Sequence, residues 1–84
     1  MKNHDNVTHD LRTLYEAKNA DYGSSFDKLF DEFGIITYII RAQDKLNRLK
    51  QLSKPDYEEK ITTETIKDTI TDLANYSIMV LMRM

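Results

Sequence analysis

The closing stretch Ile66–Met84, IKDTITDLANYSIMVLMRM, constrains the fold more than any other part of this chain. Its first turns carry Asp68 and Asp72 on one side, and from Ser77 to Met84 it is apolar almost all the way round. At about 100° per residue, that pattern describes a helix whose second half runs through a core. Its first half then delivers two carboxylates to the edge of that core. The polar stripe Glu64, Asp68, Asp72 and Asn75 is expected opposite a core face of Ile66, Ile70, Leu73, Ser77 and Leu81.

A partner for this helix is legible upstream. Ile35 to about Leu52 repeats apolar residues at helical spacing, with Ile35, Ile36, Ile39, Ile40, Ala42, Leu46, Leu49 and Leu52 as the expected core positions. Before it, Phe26, Leu29, Phe30 and Phe33 outline a short amphipathic helix that Gly34 interrupts as a C-cap or a kink. Val7, Leu11, Leu14, Tyr15 and Lys18 outline a first helix over about residues 6–19, capped by Asp5 or Asn6 and ended near Asn19. Pro55 lies in a charged surface connection, after which Thr62 or Thr63 is the expected cap of the last helix.

With two Gly, one Pro and no sustained strand alternation in 84 residues, the expected fold is a small all-α antiparallel bundle of three to four helices. It forms a single domain over residues 1–84, with residues 1–5 disordered. A chain this short buries a small share of its surface, so a homo-oligomer is expected.

Composition excludes several function classes. Twelve basic residues against 14 acidic ones leave a net charge of −2, without the basic excess of a DNA or RNA binder. No cysteine is present, which removes disulfides, thiolate metal sites and a Cys nucleophile. Met1 to Asp10 has no apolar leader segment, and no run reaches the roughly 20 apolar residues that span a bilayer. A cytoplasmic protein without membrane association is the expectation. No Walker loop or GxSxG motif occurs, and His4 and His9 fit no zinc spacing.

The candidate chemistry sits in three places. Arg41, Asp44, Lys45 and Arg48 share one helix face, which in an antiparallel pairing meets the acidic stripe of the last helix. One reading is a set of interhelical salt bridges. The other puts phosphates on Arg41, Lys45 and Arg48, and a divalent cation or a sugar on Asp68 and Asp72. With Asp44 opposite, Asp68 and Asp72 make a candidate Mg²⁺ site, since Mg²⁺ needs only one or two protein carboxylates beside substrate phosphates. The third place is Asp21-Tyr22-Gly23-Ser24-Ser25-Phe26, read either as a capped interhelical turn or as an anion-binding helix start with Tyr22 stacking on a base.

These three places resemble the motifs of a known family. Lys18-Asn19-Ala20-Asp21-Tyr22-Gly23 is similar to its KN-x-DYG opening, and Arg41-Ala42-Gln43-Asp44-Lys45 with Arg48-Leu49 to its R-x-x-DK-x-x-RL middle. Glu64-Thr65-Ile66-Lys67-Asp68-Thr69 with Asp72-Leu73-Ala74-Asn75-Tyr76 is similar to its closing E-x-I-x-DT-x-x-DLANY. The family is the nucleotide modification associated domain family, found largely in phages and prophages, and the resemblance covers about Leu11 to Leu81. It implies an α-helical domain that binds or acts on nucleotides. Carried over, it points to Asp21, Tyr22, Arg41, Asp44, Lys45, Arg48, Glu64, Asp68, Asp72, Asn75 and Tyr76.

A more distant similarity is to the all-α nucleoside triphosphate pyrophosphohydrolases. Of their paired E-x-x-E and E-x-x-D acids, Asp72 can stand for the last, but Thr69 stands where its partner belongs, and the preceding helix offers Asp44 where a Glu pair is expected. The expected function is therefore phage-type binding or sequestration of a nucleotide or nucleotide-derived molecule. Asp21, Tyr22, Arg41, Lys45, Arg48, Asn75 and Tyr76 would be the contacts, and Asp44, Asp68 and Asp72 the metal ligands. The alternatives are a Mg²⁺-dependent nucleoside triphosphate pyrophosphohydrolase and a protein-interaction or inhibitor module.

Overall fold

The computed structural model describes residues 1–22, 25–55 and 59–84, and the side chains of all of these except 20–22 and 59–62. Four helices follow in order: α1 His4–Tyr22, α2 Ser25–Phe33, α3 Ile35–Leu52 and α4 Glu59–Leu81. The all-α bundle expected from the sequence is the fold observed.

Helix α1 starts earlier than its apolar repeat suggests. The Asn3 side chain accepts a hydrogen bond from the Asn6 backbone N–H at 2.8 Å, so Asn3 is the cap, not Asp5 or Asn6. Asp5, expected in a disordered tail, lies in the first turn, where its charge suits the positive end of the helix dipole. At the other end α1 continues past Asn19 to Tyr22. Helix α4 likewise begins at Glu59, which leaves Thr63 inside the helix. Glu59 and Lys60 are good helix formers and extend it back toward Pro55.

Between α2 and α3, Gly34 adopts φ 71° and ψ −150°, a region essentially reserved for glycine. It resolves the expected choice between cap and kink as a sharp junction. Its N–H closes α2 by donating to Phe30 O at 2.7 Å, and its carbonyl accepts from Thr37 N at 3.0 Å at the start of α3. The buried Thr37 hydroxyl ties the two helices by donating to Leu29 O at 3.1 Å.

Helices α3 and α4 pack antiparallel. Tyr38 meets Ser77 and Lys45 meets Asp72, so positions rise on one helix as they fall on the other. Helix α1 lies against α4, where Asn75 Nδ2 donates to Leu11 O at 3.2 Å. Helix α2 closes one end. Phe26 is buried with its ring 5.1 Å from that of Tyr76, and Arg83 lies over the Phe30 ring while pairing with Asp27 and Asp31.

The faces turned inward match the expected ones only in part: Ile66, Leu73 and Ser77 of α4 and Ala42, Leu49 and Leu52 of α3 turn in as expected, and the other expected positions do not. On α3 the inward side carries Thr37, Tyr38, Arg41, Ala42, Lys45, Leu49 and Leu52, while Ile35, Ile36, Ile39, Ile40 and Leu46 are about half exposed. On α4 Thr69 is 3 % exposed and Val80 is buried, whereas Ile70 is 51 % exposed and Leu81 is exposed as well. The reason is that both helices are apolar over more than one stripe. Local periodicity then identifies a helix but cannot choose which stripe meets the partner. The end of α4 also overhangs: the Tyr38–Ser77 level sets the start of α3 near Val80, so Leu81, Met82 and Met84 project beyond it.

Candidate functional site

The polar inward face of α3 and α4 comes to a focus at Asp72. Lys18 of α1 donates to Oδ1 at 2.7 Å, and Lys45 of α3 donates to Oδ2 at 3.1 Å. One half-buried carboxylate thus receives two ammonium groups from two different helices, and the cluster carries a net charge of about +1. Burial by itself would raise the Asp72 pKa. The hydrogen bonds and charges of Lys18 and Lys45 outweigh it and hold the carboxyl below its usual range.

Beside this cluster lies a cavity of about 230 Å³ between α1, the start of α2 and α4. Tyr15, Phe26, Tyr76 and Met79 make its apolar wall, and Lys18, Asn19, Ser25, Asp72 and Asn75 its polar rim. Helical spacing explains the assembly. Tyr15, Lys18 and Asn19 share one face of α1, and Asp72, Asn75, Tyr76 and Met79 share one face of α4. The Phe26 ring, fixed against both Phe30 and Tyr76, keeps the wall in place.

A larger hollow of about 370 Å³ lies on the other side of Tyr15 and Asn75. Its charged residues Arg12 and Glu16 satisfy each other at 2.9 Å, so no charge is left to select a ligand. The smaller cavity is the better candidate because Lys18 and Asp72 stand on its rim and a second cation, Lys45, converges on the same carboxylate.

The structure brings together part of the expected site. Asp72, Asn75 and Tyr76 line the cavity, and Lys45 reaches it through Asp72. Arg41 is half-buried one turn before Lys45, and Arg48 is exposed; neither has an ion-pair partner among the described residues. The expected ladder of salt bridges between the two stripes therefore reduces to Lys45–Asp72. Asp44, Asp68 and Glu64 are exposed. Among the described residues no three carboxylates or imidazoles gather into a possible metal cage, so Asp44, Asp68 and Asp72 do not converge. The side chains of Asp21 and Tyr22, and Gly23 and Ser24, lie outside the described residues.

Tyr15, Lys18, Asn19 and Met79 line the cavity without having been among the contacts expected from the sequence. Tyr15 and Asn19 stand at i and i+4 with Lys18 between them, a spacing that would have grouped them once Lys18 was known to point at the site.

A family model described as nucleotide modification associated domain 1 matches residues 18–84. The match begins at Lys18 and takes in Lys45, Asp72, Asn75 and Tyr76, leaving most of α1 outside it. No curated protein and no solved structure matches the chain.

Proposed function

The chain belongs to the nucleotide modification associated domain 1 family, and on that premise we propose that the cavity beside Asp72 binds a nucleotide or nucleotide-derived molecule. The observation that carries this reading is the convergence of Lys18 and Lys45 on Asp72, which stands at the rim of an aromatic cavity. Tyr15, Phe26 and Tyr76 supply ring faces for a base, and Asn75 supplies an amide for its edge or for the sugar. Lys18 and Lys45 take the phosphates, and Arg41 and Arg48 extend the cationic track along α3. The cavity is smaller than the roughly 300–1,000 Å³ of drug-sized sites, so it seats one ring system and leaves the phosphates outside on the cations.

Two features favour binding over turnover. Both oxygens of Asp72 are engaged by ammonium groups, and a carboxylate held below its usual pKa is a weak general base near neutral pH. Mg²⁺ enters this reading as the companion of the phosphates, with the exposed Asp68, one turn before Asp72 on α4, as the carboxylate left available to it. Sequestration of a nucleotide is the role that fits.

A panel of nucleoside mono-, di- and triphosphates and cyclic dinucleotides, with and without Mg²⁺, tests this. Melting temperature and chromatography of the recovered ligand are the two readouts. The expected result is stabilisation by at least one ligand that is recovered unchanged, with binding weakened about tenfold in Lys18→Met and in Lys45→Met. Release of pyrophosphate or phosphate that stops on chelation would move the assignment to a Mg²⁺-dependent hydrolase. No melting shift and no turnover across the panel would overturn it in favour of an interaction module.

A further inference from the structure

The single chain is more open than its size warrants. Its accessible surface is 6635 Å², where a compact monomer of 9.9 kDa exposes about 5,200 Å². The excess, roughly 1,400 Å², is larger than the about 800 Å² that each partner contributes to a standard protein–protein interface. The radius of gyration agrees: it is 14.1 Å, against about 12 Å for a compact domain of this length. Among the described residues Phe26, Leu52 and Val80 are the buried hydrophobic side chains.

Part of this exposed surface forms one continuous apolar face. Helix α1 and the start of α2 reach α4 along the edge marked by Asp72, Asn75, Tyr76 and Met79. Roughly a quarter turn to the other side of the α3–α4 contact, at about 100° per residue, α4 presents Ile70, Ala74 and Leu81, and Ile78 marks the border with the hollow beside α1. Because the helices run antiparallel, the matching flank of α3 presents Ile35, Ile39, Ala42 and Leu46. The two stripes lie on the same side of the hairpin. Ile35, Ile39, Leu46, Ile70 and Leu81 are 45 to 67 % exposed, and no charged residue interrupts either stripe.

We propose that this face of the α3–α4 hairpin is the seam of a symmetric homodimer, in which two hairpins close into a four-helix bundle. A second copy is the occupant that the area favours. A two-fold contact uses the same face twice, so each chain covers its own apolar face, and the excess surface of the single chain exceeds what a standard interface requires of each partner. Packing a flat pair of apolar helices onto an identical pair is the ordinary four-helix solution. The cavity beside Asp72 lies on the opposite side and stays open in the dimer, so this inference stands apart from the nucleotide reading.

The test is the mass of the full chain by sedimentation, with helix content followed by circular dichroism. The wild type is expected at twice the chain mass. Leu46→Glu and Ile70→Glu are expected to raise the dimer dissociation constant about a hundredfold or more, because each protomer then buries an unpaired carboxylate. Ile40→Glu replaces an equally exposed isoleucine off this face and is expected to stay dimeric. A monomeric wild type, or a dimer indifferent to Leu46→Glu and Ile70→Glu, would overturn the proposal. If those variants do not fold as monomers, Ile39→Cys decides. The chain has no other cysteine, so the single thiol should react with a maleimide more slowly as protein concentration rises. A rate independent of concentration would overturn the seam.

Discussion

Replacing Asp72 with Asn probes the cluster at its centre. The substitution keeps shape and removes charge, leaving Lys18 and Lys45 without their shared counter-ion. The Lys45 bond joins two groups each about one quarter exposed, which places it on the scale of charge-assisted hydrogen bonds, about 1.5–3 kcal/mol. The Lys18 bond ends on an ammonium that is half exposed, so water screens it and its share falls to about 0.2–1 kcal/mol. An amide oxygen recovers part of one bond, and the net loss comes to about 2 kcal/mol. For a domain of this size that is a melting point lower by roughly 8–16 °C, at fixed protein concentration.

The sign with pH follows from the same contacts. Asp72 titrates below its unfolded value of about 3.9, so its contribution is complete above that pH and is lost as pH falls through the folded pKa. The gap between wild type and Asp72→Asn should therefore be full at neutral pH and close below about pH 4. Thermal melts across that range measure both quantities. A neutral-pH loss no larger than that of an ordinary surface substitution, about 0.5 kcal/mol, would refute the reasoning. So would a gap that stays constant into acid.

Other expectations are simpler. Gly34→Ala should cost about 1–3 kcal/mol by denaturant titration, all of it from backbone conformation, because an added Cβ meets no atom within 4 Å. Tyr38→Phe removes the 2.7 Å bond with Ser77 and should lower stability by about 1 kcal/mol; Ser77→Ala in the same background should add little if the two form one unit. Arg83→Ala removes both the pairing with Asp27 and Asp31 and the contact over Phe30, for about 1 kcal/mol. The part due to pairing should shrink in high salt, whereas the part due to packing on the ring should not.

The sequence by itself determined that this chain is helical, about where its helices lie, and that Gly34 breaks the middle of it. These are local matters of propensity, periodicity and backbone freedom, each decided within a few residues. Resemblance to the family's motifs pointed to Lys45, Asn75 and Tyr76 as contacts and to Asp72 as a metal ligand; in the structure Asp72, Asn75 and Tyr76 line one cavity and Lys45 bonds to Asp72. Only the tertiary structure decided which stripe of α3 and α4 faces inward. A helix apolar on two sides has no local reason to prefer one, and packing against α1 and α2 makes the choice. That choice turned Thr37, Tyr38 and Lys45 in and the isoleucines out. It also joined Lys18 to Asp72 across 54 residues and Lys45 to Asp72 across 27. The long helix that ends in Met84 thus became something its own letters do not state. One side holds a carboxylate between two lysines at a cavity, and the other is an apolar face left uncovered by its own chain.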